Sequence, residues 1–353
     1  MDQNNIGEMI ADTARRIFES HAGAKAADGE AWNVGLWRDL EHSGLTAAWE
    51  PESGGRLGAP LGAAFEIIRL SARYAVRAPL AETMLAVYAL YQAGLEAPAG
   101  PVTVAPVRVT DTLVLEKVGG VWRLSGAAGR VPWGARAEHV IVYAKSDEGG
   151  RLAIAPTSAV VMTREDANVA GEPRAHLSFD NVELSDAQVG QAKHGMSLHH
   201  LGALVRAAQL SGAMEEALNL TAQYASDRVQ FGRPLSKFQV IQHYIATMAS
   251  QSAAARASVD AAVFAFGGAH AATAIAAAKI RAGEAAGQVA RLAHQIHGAI
   301  GFTQEYRLQA LTRRLWSWRE EFGTETEWAR ELGQTVCGLG AEQAWPFITE
   351  QMA

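Results

Sequence analysis

Apolar positions recur at helical spacing near both ends of the chain and at strand spacing between them. Ile10, Ala14, Ile17 and Phe18 share one helical face, and Trp37, Leu40 and Leu45 follow in the next segment. Pro51, Gly54 and Gly55 predict a turn, because proline and paired glycines do not continue a helix. Helical spacing resumes at about Leu61 and runs, interrupted at Pro79, to Leu95. After Pro98 and Pro101 the period changes. Val102, Val104, Val107 and Val109 lead into Leu113-Val114-Leu115, Val121-Trp122-Arg123-Leu124 and Val140-Ile141-Val142-Tyr143. Further apolar runs lie at 152–155, 160–162 and 176–179, with turn signals at Gly119-Gly120, Gly149-Gly150 and Asp180-Asn181. Short β-rich runs at this spacing predict an antiparallel barrel or sandwich.

From Ser197 the helical pattern returns. Leu210, Met214, Ala217, Thr221, Tyr224 and Arg228 form one stripe of a long helix, and Phe238, Ile241, Ile245 and Met248 repeat it. The alanine-rich stretch 252–290, interrupted by Gly267-Gly268, suits two closely packed helices. The chain therefore reads as α+β and multidomain. An N-terminal helical domain over 1–100 precedes a middle antiparallel β-barrel or sandwich over 101–190 and a C-terminal four-helix bundle over 191–353.

Composition narrows the chemistry. The 31 Lys and Arg against 37 Asp and Glu give a net charge of −6, and with no basic block this argues against nucleic acid. A hydrophobic share of 49% supports a large core and excludes a disordered chain. The single cysteine, Cys337, excludes an internal disulfide and a multi-cysteine metal site, and is expected to be a small buried apolar residue. The start lacks a charged segment followed by an apolar one, so no signal peptide is read there. The run 261–278 is too short and too interrupted to span a membrane, which leaves a cytoplasmic protein as the expectation. His199-His200 and His294 with His297 have no nearby cysteine or carboxylate to complete a metal site, so none is expected. Trp316, Trp318, Trp328 and Trp345 are expected to anchor the core or an interface.

Two stretches could carry chemistry. In the first, Arg228 ends a mostly apolar stripe, where a bare guanidinium is costly, so it should meet a carboxylate or a phosphate. Gly232 and Pro234 then stop the helix, and Ser236 could cap the next one. A surface salt bridge at a helix end fits equally well. In the second, Gln295-Ile296-His297-Gly298-Ala299-Ile300-Gly301-Phe302, two glycines three apart let a backbone approach a ligand, as they do in many plain helix–helix turns.

Taken together, the strings R-x-x-F-G-x-P-L-x-x-F-Q from Arg228 to Gln239 and Q-x-H-G-x-x-G-F-T-x-E-Y from Gln295 to Tyr306 resemble the two signatures of the acyl-CoA dehydrogenase family. The helix–β–helix order resembles it too, as does the turn at Pro51 to Gly55, one residue shorter. The resemblance implies FAD-dependent α,β-dehydrogenation of an acyl-CoA thioester to the 2-enoyl-CoA, with a carboxylate removing the α proton. It also implies an electron-transfer flavoprotein or similar acceptor. By matching positions, Arg228 would contact the FAD pyrophosphate, with Phe231 and Gln239 nearby. Gln295, Gly298 and Gly301 would meet the ADP part of the FAD of a neighbouring subunit, and Thr324 matches a flavin-nucleotide contact. A subunit-boundary cofactor implies a dimer of dimers.

The sequence also departs from the family. A loop rich in Glu, Pro, Gly, Ser and Asp is replaced by Val102-Thr103-Val104-Ala105-Pro106-Val107, and the second glycine of the usual H-G-G is Ala299. The flavin-side strand that usually carries Trp-Ile-Thr reads Arg130-Val131-Pro132-Trp133, so Trp133 lies against the flavin or in the core. The position of the usual catalytic glutamate holds Phe322, preceded by Glu320 and Glu321. The second place where family members carry the base falls at about Gly202. Glu321, or with less support Glu320, enters the pocket through a shifted loop, or the two are a solvated acidic pair. The chain then acts alone as a homotetramer, or it is a non-catalytic FAD-binding subunit of a heterotetramer whose partner supplies the glutamate. Such paired subunits often serve bulky or ring-bearing acyl groups, which points to fatty acid or steroid side-chain catabolism.

Overall fold

The structure, a computed structural model, describes residues 3–23, 32–50, 57–192 and 197–347; the expected turn at 51–55 lies outside them. The chain forms two compact units, Met1–Ile68 with Arg77–Val205 and Arg69–Val76 with Arg206–Ala353.

The first unit opens with helices α1 (Gln3–Ser20), α2 (Val34–His42), α3 (Leu61–Arg73, whose last turn belongs to the second unit) and α4 (Leu80–Gln92). Of their predicted apolar faces, Ile10, Ala14, Phe18, Trp37, Leu40 and Leu45 are buried and Ile17 is half-buried. Helix α4 is buried along most of its length, and its Thr83 hydroxyl donates to the Val102 carbonyl at 3.1 Å while accepting from the Val102 amide at 3.2 Å. That pair fixes the start of strand β1.

Strands β1 (Val102–Ala105), β2 (Leu113–Val118), β3 (Val121–Pro132), β4 (His139–Ser146), β5 (Gly149–Pro156), β6 (Val161–Ala167), β7 (Pro173–Leu184) and β8 (Val189–Gln191) form one eight-stranded sheet. Its order is β6-β7-β3-β2-β4-β5-β8, with β1 on β4. The expected antiparallel barrel is corrected on two counts. Strands β1 and β2 both run parallel to β4, so the sheet is mixed, and among the described residues its path does not close. Alternating side chains look alike in parallel and antiparallel strands, so periodicity finds a strand without giving its direction. Closure is also not needed to protect the edge: β6 carries a register irregularity and Arg164, Glu165 and Asp166, which discourage edge pairing.

The turn signals divide. Gly119-Gly120 links β2 to β3 and Gly149 opens β5. Asp180-Asn181 makes no turn between strands. It lies inside β7, where Asn181 has φ +51° opposite an irregularity of β3.

In the second unit, α5 (Leu198–Asp227, entering at Arg206) leads through the short strands β9 (Val229–Gln230) and β10 (Arg233–Pro234) to α6 (Gln239–Phe264) and α7 (Ala271–His297). Then come α8 (Leu308–Trp318), α9 (Glu325–Leu339) and α10 (Ala341–Pro346). Helix α7 is the core of the unit, packed by α6, α8 and α9. Its alanine-rich surface permits this: a Cβ on Gly283 would meet the Glu325 carboxylate at 2.1 Å. Two local expectations change. Ser236 does not cap α6, whose N-cap is Phe238. The Ser236 carbonyl instead accepts from the Gln242 side chain at 2.9 Å. Cys337 is exposed on α9 rather than buried. Trp318 and Trp328 are buried, whereas Trp345 is exposed. Among the described residues, no helix is long and apolar enough to cross a membrane, and no cluster of His, Cys, Asp or Glu could hold a metal ion.

Candidate functional site

Helix α5 stops at Asp227, one residue short of the expected stripe, and Arg228 stands in the link to β9. The guanidinium is therefore exposed rather than held in an apolar stripe. Its Nε and Nη2 donate to the Gln230 amide oxygen at 3.2 and 2.9 Å once that amide is turned to satisfy both groups. Phe231 and Gly232 make the two-residue turn between β9 and β10, with φ of +51° and +78°. Such a turn wants left-handed residues at both places, which glycine takes freely and phenylalanine only under strain. Phe231 is 92% exposed, edge-on to Phe238 at 6.2 Å. The Arg233 guanidinium lies 4.2 Å from the Phe238 ring centre, and Gln239 is exposed at the start of α6.

The second signature stretch packs against the last turns of α5, just before the first. The Tyr224 ring, one turn before Arg228, stacks on His297 at 4.4 Å. His297 Nδ1 donates to the Ala293 carbonyl at 2.8 Å, which leaves Nε2 to accept from the Tyr306 hydroxyl at 3.2 Å. Burial lowers the His297 pKa, and it raises that of Tyr306, helped by Tyr224 and Asp227. Gly298 follows His297 directly, with φ +62° and an exposed backbone. Gln295 is exposed on the last turn of α7. Gly301 is buried, and a Cβ there would lie 3.0–3.2 Å from His297, His294 and Leu308, so its bareness serves close packing. Beside it, His294 is sandwiched between Phe302 at 3.9 Å and Trp316 at 5.5 Å. These three line a cleft of about 370 Å³ with Arg291 and Gln295.

The two acidic candidates differ sharply. Glu320 is exposed, 3.7 Å from Arg319. Glu321 is 4% exposed, and its Oε2 receives Arg206 Nε at 2.9 Å and Nη2 at 2.8 Å. Arg206 is itself 1% exposed, also donates to the Gln209 side chain, and lies over the Trp318 and Phe322 rings. Phe322, at the position of the usual base, is 1% exposed with φ +53°. Its carbonyl accepts from Trp328 Nε1 at 2.8 Å. Lys279 of α7 completes the frame, donating to the carbonyls of Arg319 at 2.7 Å and Gly323 at 2.6 Å. Burial lowers its pKa to about 8, against the opposing pull of Glu325, Glu321 and Glu320. Thr324 caps α9, its hydroxyl and amide both engaged with Glu327. Sequence reading missed Arg206 and Lys279. Each is a cation in an apolar helical run, and that was the available signal, because such a group stays buried only when partnered.

Trp133, in the first unit, is 2% exposed with φ +56°, its ring edge-on to Trp32 at 5.8 Å. Its amide donates to the Pro173 carbonyl at 3.0 Å. Arg130 is exposed at φ +57°.

The family model described as "Acyl-CoA dehydrogenase, C-terminal domain" matches residues 195–332. The acyl-CoA dehydrogenase IpdE2 of Mycolicibacterium smegmatis is 28% identical over 93% of this chain and 98% of its own length. Among solved structures, a variant of the Tcur3481–Tcur3483 steroid ACAD superposes with a TM-score of 0.85 at 24% identity, covering 96% of this chain and all of that one. The ChsE4–ChsE5 complex of Mycobacterium tuberculosis gives 0.85 at 21%, covering 96% and 98%. The matched segment and the likeness of fold over almost the whole length have one reading: residues 195–332 form an acyl-CoA dehydrogenase C-terminal domain, in a chain that is similar to acyl-CoA dehydrogenases along nearly all of its length.

Proposed function

We propose that this chain is the FAD-binding, base-lacking subunit of an acyl-CoA dehydrogenase assembled as a heterotetramer, whose partner chain supplies the glutamate for α,β-dehydrogenation. The observation that carries the reading is the buried Arg206–Glu321 pair beside a buried Phe322. A general base must reach the proton it removes, and a carboxylate spent on a buried guanidinium does not. The two-chain names of the structural neighbours and the word "steroid" in one of them support a paired assembly and a ring-bearing acyl group.

The exposed donors fit the nucleotide half of FAD: a guanidinium at Arg228, side-chain amides at Gln239 and Gln295, and left-handed backbone at Gly298. Arg228 would hold the pyrophosphate beside Phe231, and Gln295 and Gly298 the ADP part belonging to a neighbouring subunit. Gly301, Thr324 and Trp133 carry less of the assignment, since packing, a helix cap and burial already occupy them. When bound, FAD supplies the hydride acceptor; an electron-transfer flavoprotein is the acceptor that fits the family.

The test is reduction without oxygen. The chain purified alone and the chain co-expressed with a related subunit carrying the glutamate are each mixed with a panel of acyl-CoA thioesters. Bleaching of the flavin only in the co-expressed sample is expected. Bleaching by the chain alone overturns this reading in favour of a self-sufficient homotetramer that uses Glu321.

A further inference from the structure

We propose that a pocket in the first unit, lined by Arg108, Tyr143 and Lys145, binds a phosphate group of coenzyme A, so that this chain holds an acyl-CoA even without a base of its own. The choice of ligand rests on the acyl-CoA reading; the geometry of the pocket does not. The pocket measures about 180 Å³ and lies where the β1–β2 link, β4 and the start of α5 come together. Arg108 directly follows the 102–107 segment that replaces the loop usual in the family, so this donor is a feature of the chain's own sequence.

Tyr143 and Lys145 are two residues apart on β4 and share one face of the sheet. The cross-strand partner of Lys145 is Gly150, and a Cβ there would overlap the Tyr143 hydroxyl, so the bare backbone makes room for the ring. Arg108 is held in turn by Asp111. Its Nη2 donates to Oδ1 at 2.7 Å, while the Gly129 amide donates to Oδ2 at 2.8 Å. A Cβ on Gly129 would lie 2.7 Å from Arg108 Nη2, so a bare backbone also seats the guanidinium. Asp111 is the one carboxylate lining the pocket, and it is spent on these two groups. Arg108 Nη1, the Lys145 amine and the Tyr143 hydroxyl are left without a protein partner among the described residues. With His199 neutral, two cations against one carboxylate leave an excess of positive charge. A guanidinium, an ammonium and a phenol from separate positions suit the several oxygens of a phosphate. Val109, Leu113 and Leu198 add apolar walls, which suit a phosphate carried on an organic body rather than a bare anion.

The full chain is titrated calorimetrically with CoA and with inorganic phosphate. CoA should bind, less tightly as salt is raised, and Lys145→Ala should weaken it about tenfold. Tyr143→Phe should lose less, and Lys145→Arg should restore most of the affinity. Lys145 is exposed, so its removal leaves the core intact, and circular dichroism checks that each variant is folded. Unchanged CoA affinity in a folded Lys145→Ala protein overturns the proposal, as does a wild type that binds no CoA. Inorganic phosphate that binds as tightly as CoA assigns the pocket to a free anion and overturns it too. None of these readouts needs flavin reduction or a partner chain. A chain that bleaches alone can therefore pass this test, and one that fails it can still lack the base, so the two readings fail separately.

Discussion

Lys279 Nζ lies 2.6 Å from the Gly323 carbonyl and 2.7 Å from that of Arg319, so one amine of α7 clasps both ends of the segment that carries Glu320, Glu321 and Phe322. The contact sets the protein's behaviour in alkali. Burial holds the folded Lys279 pKa at about 8, against 10.5 for a free lysine. Below pH 8 both folded and unfolded chains carry the proton, and the full cost of burying the charge is present. Between pH 8 and 10.5 the unfolded chain binds more protons, so the Lys279 contribution to stability rises with pH. Urea unfolding of wild type and Lys279→Met should diverge over that window, the wild type gaining on the order of 3 kcal/mol at most. A difference that is flat with pH removes the assignment.

Glu321→Gln should cost about 3 kcal/mol in urea unfolding, because it leaves the Arg206 guanidinium buried without its counter-charge. Glu320→Gln, at an exposed position, should stay within about 0.5 kcal/mol. Equal effects would contradict the different surroundings of these neighbours.

Gly323 has φ +90°, and a Cβ there would lie 2.4 Å from Trp328 Nε1. Gly323→Ala should therefore combine backbone strain with a clash against a buried ring and lower stability by about 2 kcal/mol or more. Gly232→Ala, at φ +78° with nothing near its Cβ, should cost only about 1–2 kcal/mol of strain. Thermal unfolding of the pair separates the two contributions, and similar losses would count against the clash.

Arg228→Ala should weaken flavin retention at least tenfold without lowering stability, since its guanidinium is exposed. Absorbance at the flavin band relative to protein after gel filtration measures this. Full occupancy in the variant would take the pyrophosphate contact away from Arg228.

Much of this was legible in the sequence, for identifiable reasons. The helical stripe Leu210, Met214, Ala217 and Thr221 is buried at all four positions, although from Leu201 to Met214 the helix is buried on every face. Strands were found where apolar residues alternate or cluster, but the parallel pairing of Val102–Ala105 with β4 depends on partners distant in sequence. The two signature stretches were visible as strings; that Tyr224, one turn before the first, stacks on His297 of the second was not. The pairing of Glu321 escaped because Arg206 lies 115 residues away, and only the fold makes them neighbours.

The turn at Phe231 and Gly232 has a consequence for assembly kinetics. Ordinary loop tips sample many conformations and lose entropy when covered, which slows and weakens association. Here two left-handed residues and a pair of antiparallel partners hold the tip in one shape, with the aromatic ring already projecting. The ordering cost is met during folding, so a partner chain docking over Phe231 would meet a preformed turn.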